Sequence, residues 1–210
     1  MRAADNISPL QGFGATLNDV VHPSRIIVSL RFLIVPGLSA LALVALGLTV
    51  LIAAVLAIPT ARRALVGTFG RQPFALAAFA WIVATIATLG SLYLSDGLGL
   101  EPCKLCWYQR IAMYPLVLVL GIALLRRDAD VWKTAVPLAL VGAGVSAYHV
   151  AVQFIPGVEL ASCSVTAPCS LRYFVSYGFV TIPVMAGAAF LLVAATLAAH
   201  ACVVRAKAAP

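Results

Sequence analysis

Cys103 and Cys106 stand two residues apart in Glu-Pro-Cys-Lys-Leu-Cys-Trp-Tyr-Gln-Arg-Ile-Ala-Met-Tyr-Pro, residues 101–115, just ahead of a long apolar run. A helix starting there puts both sulfurs at its N-terminal turn. Arg110, four residues beyond Cys106, then shares its face. A helix N-terminus and a neighbouring cation both favour thiolate over thiol. The stretch can therefore hold a reactive sulfur.

A second close pair, Cys163 and Cys169, lies in the longest loop after the N-terminal tail, and Cys202 stands alone. Paired cysteines signal disulfides, a metal site or redox chemistry, and the compartment decides among them. Of the 210 residues, 63% are hydrophobic and 10% charged, whereas a soluble domain is closer to half apolar and a quarter charged. The excess falls in runs long enough to cross lipid, so the fold class is all-α, a multi-pass membrane protein. The net charge of +7 belongs to the flanks of those runs, which leaves no case for nucleic acid.

Five spans follow from the uncharged stretches. Residues 1–31 are a tail, with an interfacial helix expected near 15–30. Residues 32–58 hold an additional N-terminal transmembrane helix. Residues 74–200 form a four-helix transmembrane bundle with spans near 74–95, 107–125, 134–155 and 177–199. Residues 60–73 read as a short basic connector, 96–104 as a Gly-rich acidic loop, and 201–210 as a cytoplasmic tail. Residues 74–95 alone give ~33 Å of helix at 1.5 Å per residue.

Orientation follows the distribution of Lys and Arg. Arg62, Arg63 and Arg71 lie in one connector, Arg126, Arg127 and Lys133 in another, and Arg205 and Lys207 in the tail. That side is read as cytoplasmic, so both cysteine pairs face outward. Five spans then leave the N-terminus outside with Arg2, Arg25 and Arg31, mildly against the rule. A cleaved signal peptide at Val55-Leu56-Ala57 is the rival. It would move the Cys103 loop to the cytoplasm, and it fits the charge pattern worse.

An outward, oxidising face turns thiols into disulfides. Cys163 and Cys169 can form an inert staple, although so short a loop gains little from one. A Cys-x-x-Cys ring is tight, easily reduced, and typical of thiol oxidoreductases. Zinc on all four cysteines is the competitor, with Cys-x-x-Cys a usual half-site and Cys-x₅-Cys a poor one. Redox is favoured because an oxidising face works against free thiolate ligands, and no metal is assigned.

A membrane redox pair needs an acceptor. The sequence has neither Gly-x-Gly-x-x-Gly nor Cys-x-x-Cys-His, which leaves a quinone of the bilayer as the economical choice. Arg110 is the polar partner for its carbonyl, or else an arginine snorkelling to the interface. His149, with Gln153 at i+4, is an ionisable group inside a span and a functional candidate by default; a bond to a neighbouring helix is the alternative. His22, His200 and Cys202 receive no role.

Cys-x-x-Cys-Trp-Tyr-Gln-Arg at the start of a membrane helix resembles the disulfide bond formation protein B (DsbB) family. The compact loop, with Pro168-Cys169-Ser170 and Gly178-Phe179-Val180-Thr181-Ile182-Pro183, is similar to its short-loop, BdbC-like branch. The resemblance covers about residues 74–200. It implies an enzyme of the bacterial inner membrane that reoxidises an extracytoplasmic thioredoxin-like, DsbA-type oxidase and passes the electrons to ubiquinone or menaquinone. It implies catalytic roles for Cys103, Cys106, Cys163 and Cys169. Cys106 would lie nearest the quinone, which Arg110, His149 and Gln153 would help bind, while Cys163 and Cys169 would meet the soluble partner. The additional N-terminal helix departs from the family pattern. A vitamin K epoxide reductase-like enzyme is one alternative, although its active pair usually comes second in the chain. A non-enzymatic scaffold with structural disulfides or zinc is the other.

Overall fold

The computed structural model describes residues 23–158, 163 and 167–208, with side chains from residue 34 onward. The chain divides into two compact units at Val35/Pro36. The first contributes, among its described residues, the opening of helix α1, Pro23–Ala57. The interfacial helix expected near 15–30 lies mostly outside the described residues.

The second unit is all-helical. It holds the rest of α1, then α2 (Pro59–Phe69), α3 (Phe74–Leu92), α4 (Lys104–Arg126), α5 (Trp132–Phe154) and α6 (Ile182–Ala208). Among the described residues, five helices are long and apolar enough to cross a membrane: α3 with its extension to Gly97, α4, α5, α6, and α1 over Ile34–Ala57. Pro36, Pro115 and Pro137 sit inside helices. Lipid offers the backbone no better partner than helix, so each lost bond is tolerated.

Helices α3 to α6 form a ring in which each packs on its sequence neighbour and α6 returns to α3. The core sets small against large. Ala80 and Ala84 of α3 and Ala135 and Ala139 of α5 receive Leu116 and Leu120 of α4 and Phe190, Val193 and Leu197 of α6. Close approach through small residues is how membrane helices gain contact when lipid removes the hydrophobic drive. Gly142 is the sharpest case, because a Cβ there would collide with the Phe190 ring.

Most of the basic connector is helical. Ile58 is extended and Pro59 occupies the first turn. A residue before proline avoids the helical region, whereas proline itself is preorganised for a first turn. Leu65, Val66 and Phe69 of α2 pack against Leu76, Ala199 and Val203, and Arg62 and Arg63 stay exposed.

Two spans differ most from the sequence expectation at their ends. α3 continues into one π turn, Tyr93–Gly97. The last helix begins at Ile182 rather than 177 and runs on to Ala208. Tyr177 and Gly178 have positive φ, 50° and 81°, and make a turn closed by paired Ser176–Val180 bonds of 2.9 and 2.8 Å. Hydropathy alone does not register such a turn.

Candidate functional site

α4 starts at the sulfurs. Cys103 is its N-cap, and Cys103 Sγ accepts the Cys106 backbone N–H at 3.4 Å, as a Ser or Asp oxygen would. The Cys106 thiol approaches Cys103 Sγ at 3.0 Å. Both are free cysteines, Cys103 buried and Cys106 half-buried.

His149 of α5 supplies a third contact, Nε2 to Cys103 Sγ at 3.6 Å. The same Nε2 is 3.1 Å from the Cys169 carbonyl oxygen, and Nδ1 is 3.3 Å from Gln109 Nε2. A carbonyl can only accept, so Nε2 carries the proton. In the neutral ring Nδ1 then accepts from the Gln109 amide. One imidazole N–H is thereby aimed at a sulfur and at the backbone of the second cysteine pair. These surroundings hold the Cys103 thiol far below its ordinary value, at about 4. The Cys106 thiol hydrogen bond lowers it most, burial opposes it, and His149 adds to the lowering.

Cys163 and Cys169 are joined in a disulfide with Cα atoms 5.8 Å apart. That bond removes the four-cysteine zinc arrangement. Cys169 is fully buried and Cys163 half-buried. Two side chains hold the loop over α4: Gln153 Nε2 donates to the Leu171 carbonyl at 3.1 Å, and Tyr173 Oη donates to the Glu101 carbonyl at 2.7 Å. Both pairs consequently share one apolar cluster with Leu105, Val152 and Ala167.

On its other side Cys106 opens on a cavity of about 330 Å³, within the range of ligand pockets. Apolar residues of α1, α3, α4 and α6 line most of it, including Leu38, Ala42, Phe79 and Met185. Its polar end carries Ser91, Cys106, Gln109 and Arg110. Arg110 donates to Ser91 Oγ at 3.1 Å and to the Ser91 carbonyl at 3.0 Å, and stacks on Trp107 at 5.2 Å. Tyr114 lines the same cavity with a buried hydroxyl that has no hydrogen-bond partner.

The sequence-predicted residues thus fall into two groups. Cys106 and Arg110 line the cavity. His149 and Gln153 do not; they stand against Cys103, Cys169 and the loop behind them. Cys103, Cys106 and His149 also bring three metal-ligating atoms within 4.8 Å of one another. Gln109 and Ser91 were missed. Gln109 sits inside the motif and is a polar residue within a span, which is a usable signal. Ser91 gives none, since serine in a membrane helix usually bonds its own backbone.

The family model for the disulfide bond formation protein DsbB matches residues 70–200. The disulfide bond formation protein C of Bacillus subtilis is 49% identical over 114 residues, 54% of this chain and 83% of its own. A probable disulfide formation protein C 1 of Bacillus cereus is 46% identical over 125 residues, 59% of this chain and 89% of its own. A probable disulfide formation protein of Chlamydia trachomatis is 46% identical over 118 residues, 56% and 86%. No solved structure matches.

Proposed function

Because this chain belongs to the disulfide bond formation protein DsbB family and is a membrane disulfide oxidoreductase, we propose that it reoxidises a thioredoxin-like dithiol oxidase and delivers the electrons to a membrane quinone. One observation carries this reading: the Cys103–Cys106 pair touches the Cys163–Cys169 loop on one side and the apolar cavity on the other. A dithiol in that position connects a soluble partner to a lipid-soluble acceptor.

The cavity residues suit a quinone. The walls are apolar, one end offers the Arg110 guanidinium, and the buried Tyr114 hydroxyl lacks a partner. The helix α1, which precedes the matched region, supplies part of the wall. A bound quinone provides the acceptor chemistry, taking up two electrons and two protons as its carbonyls become hydroxyls.

The protein's own steps follow from exposure and contact. A partner thiolate attacks Cys163, the more accessible sulfur of its disulfide, and Cys169 leaves as thiolate. The partner's second thiol then displaces Cys163, and the partner departs oxidised. Cys169 attacks Cys103 of the Cys103–Cys106 disulfide and releases Cys106; Cys163 closes on Cys169 and releases Cys103. Two electrons have moved inward, and the sulfurs stand as they do here, with Cys163–Cys169 bonded and Cys103 and Cys106 free. His149 N–H supports the Cys103 thiolate in this state, while Arg110, pinned by Ser91, places a fixed positive charge at the cavity mouth. The reading puts both pairs on the extracytoplasmic side of a bacterial inner membrane, with the C-terminus cytoplasmic.

Trapping tests it. A thioredoxin-like oxidase reduced to its single attacking cysteine should form a mixed disulfide with Cys163. Linkage to Cys103, or none, would remove the loop from the pathway.

A further inference from the structure

The opposite end of the bundle carries a second cavity, of about 840 Å³, among the end of α1, α2, the start of α5 and the end of α6. Its rim holds three arginines, Arg62, Arg63 and Arg205, and among the described residues no carboxylate lines it. All three are exposed. Arg205 lies over the Trp132 ring at 4.3 Å, so an aromatic face and not an acid positions its guanidinium. The nearby acids are occupied: Asp130 pairs with Lys133 at 2.8 Å, and Asp128 accepts the Asp130 backbone N–H at 2.9 Å. Below the rim the lining is apolar, with Leu56, Val66, Val136 and Ala198.

We propose that this cavity binds an anionic phospholipid of the surrounding membrane, its phosphate held by Arg62, Arg63 and Arg205 and its acyl chains lying on the apolar lining. Two features together select this ligand. Guanidinium forks match phosphate oxygens. An apolar floor continuous with membrane spans suits chains, which free phosphate does not have. Basic pockets between helices at a membrane edge are a general mode of anionic lipid capture. α2 builds the site by laying its apolar face on the bundle and leaving its arginines at the rim. The quinone pathway plays no part in the argument.

The test is native mass spectrometry of the full chain, purified from mixed phosphatidylglycerol and phosphatidylcholine micelles. The wild type should retain one phosphatidylglycerol in preference to phosphatidylcholine. The R62Q/R63Q/R205Q variant should lose that preference by at least about tenfold. R71Q/R126Q/R127Q, with the same charge loss away from the cavity, should keep it. If the first variant does not fold, Arg205→Gln alone should weaken the preference several-fold. Equal retention of both lipids by the wild type overturns the proposal. So does equal loss in the two triple variants, which would mean bulk charge only, or displacement of the lipid by millimolar inorganic phosphate.

Discussion

His149 and His200 are both fully buried in the bundle, one at each end, and both ring nitrogens of each have a partner. His149 faces an amide, a carbonyl and a sulfur. His200 faces two carbonyls, Pro73 at 2.9 Å and Ala129 at 3.2 Å, which belong to the connectors before α3 and before α5. A buried histidine fixed only to backbone from two connectors is a clamp. The same residue fixed by an amide, with its remaining N–H aimed at a thiol, can do chemistry. Both rings are buried and each bridges separate elements, so the chemical identity of the neighbours separates function from architecture.

Four measurements break or sharpen that contrast, in order of their effect on turnover. Cys106→Ser should abolish quinone reduction driven by a reduced thioredoxin-like protein, by more than about a thousandfold, while the helical circular dichroism stays unchanged. Residual turnover near wild type would take the Cys103–Cys106 pair out of the pathway.

Arg110→Met keeps length and apolarity but removes the charge. A hydrogen bond to a charged group is worth ~1.5–3 kcal/mol, so quinone reduction should slow roughly ten- to hundredfold. Lysine should restore part of it, and exchange of Cys163–Cys169 with the soluble partner should be unaffected. A wild-type rate with reduced abundance would make Arg110 an interface anchor.

His149→Ala should slow turnover less, about three- to tenfold, and its signature lies in pH. The folded Cys103 value, about 4, lies below the free thiol value of ~8.5. A lowered acid stabilises the reduced folded state above the unfolded value and loses that contribution as pH falls toward the folded one. With one thiol already ionised, the pair exchanges two electrons with one proton. Its midpoint potential should then change by about 30 mV per pH unit across pH 5–8. The variant should move to higher pH the point at which the slope passes from about 60 to about 30 mV per unit. No movement of that point would show that His149 does not act on Cys103.

His200→Ala should leave turnover per folded molecule intact while lowering unfolding stability by about 2–4 kcal/mol, read from denaturation in detergent. A larger loss of turnover than of stability would erase the distinction between the two ends.

The sequence by itself determined the all-helical membrane class, because a long uncharged run has no partner for its backbone other than itself. It also located Cys103 and Cys106 at a helix start, and Arg110 one turn on, because those positions follow from spacing along a single helix. The limits appeared wherever the answer depended on a second element. Pro59 starts a helix, α2, in the residues read as a basic connector, and its apolar face is legible only once α3 and α6 lie beneath it. Tyr177 and Gly178 look apolar enough to begin a span, yet Val180 pairs back to Ser176 and delays the last helix to Ile182. His149 and Gln153 were read toward a quinone. The rotation of α5 against α4 instead sets them against Cys103, Cys169 and Leu171, and no pattern within one helix encodes that rotation. Ser91, Gln109 and His200 acquire their parts only from side chains and carbonyls 19 to 127 residues away in sequence. Periodicity and spacing describe a helix with respect to its own axis, whereas a site made between helices is decided by how their side chains interlock.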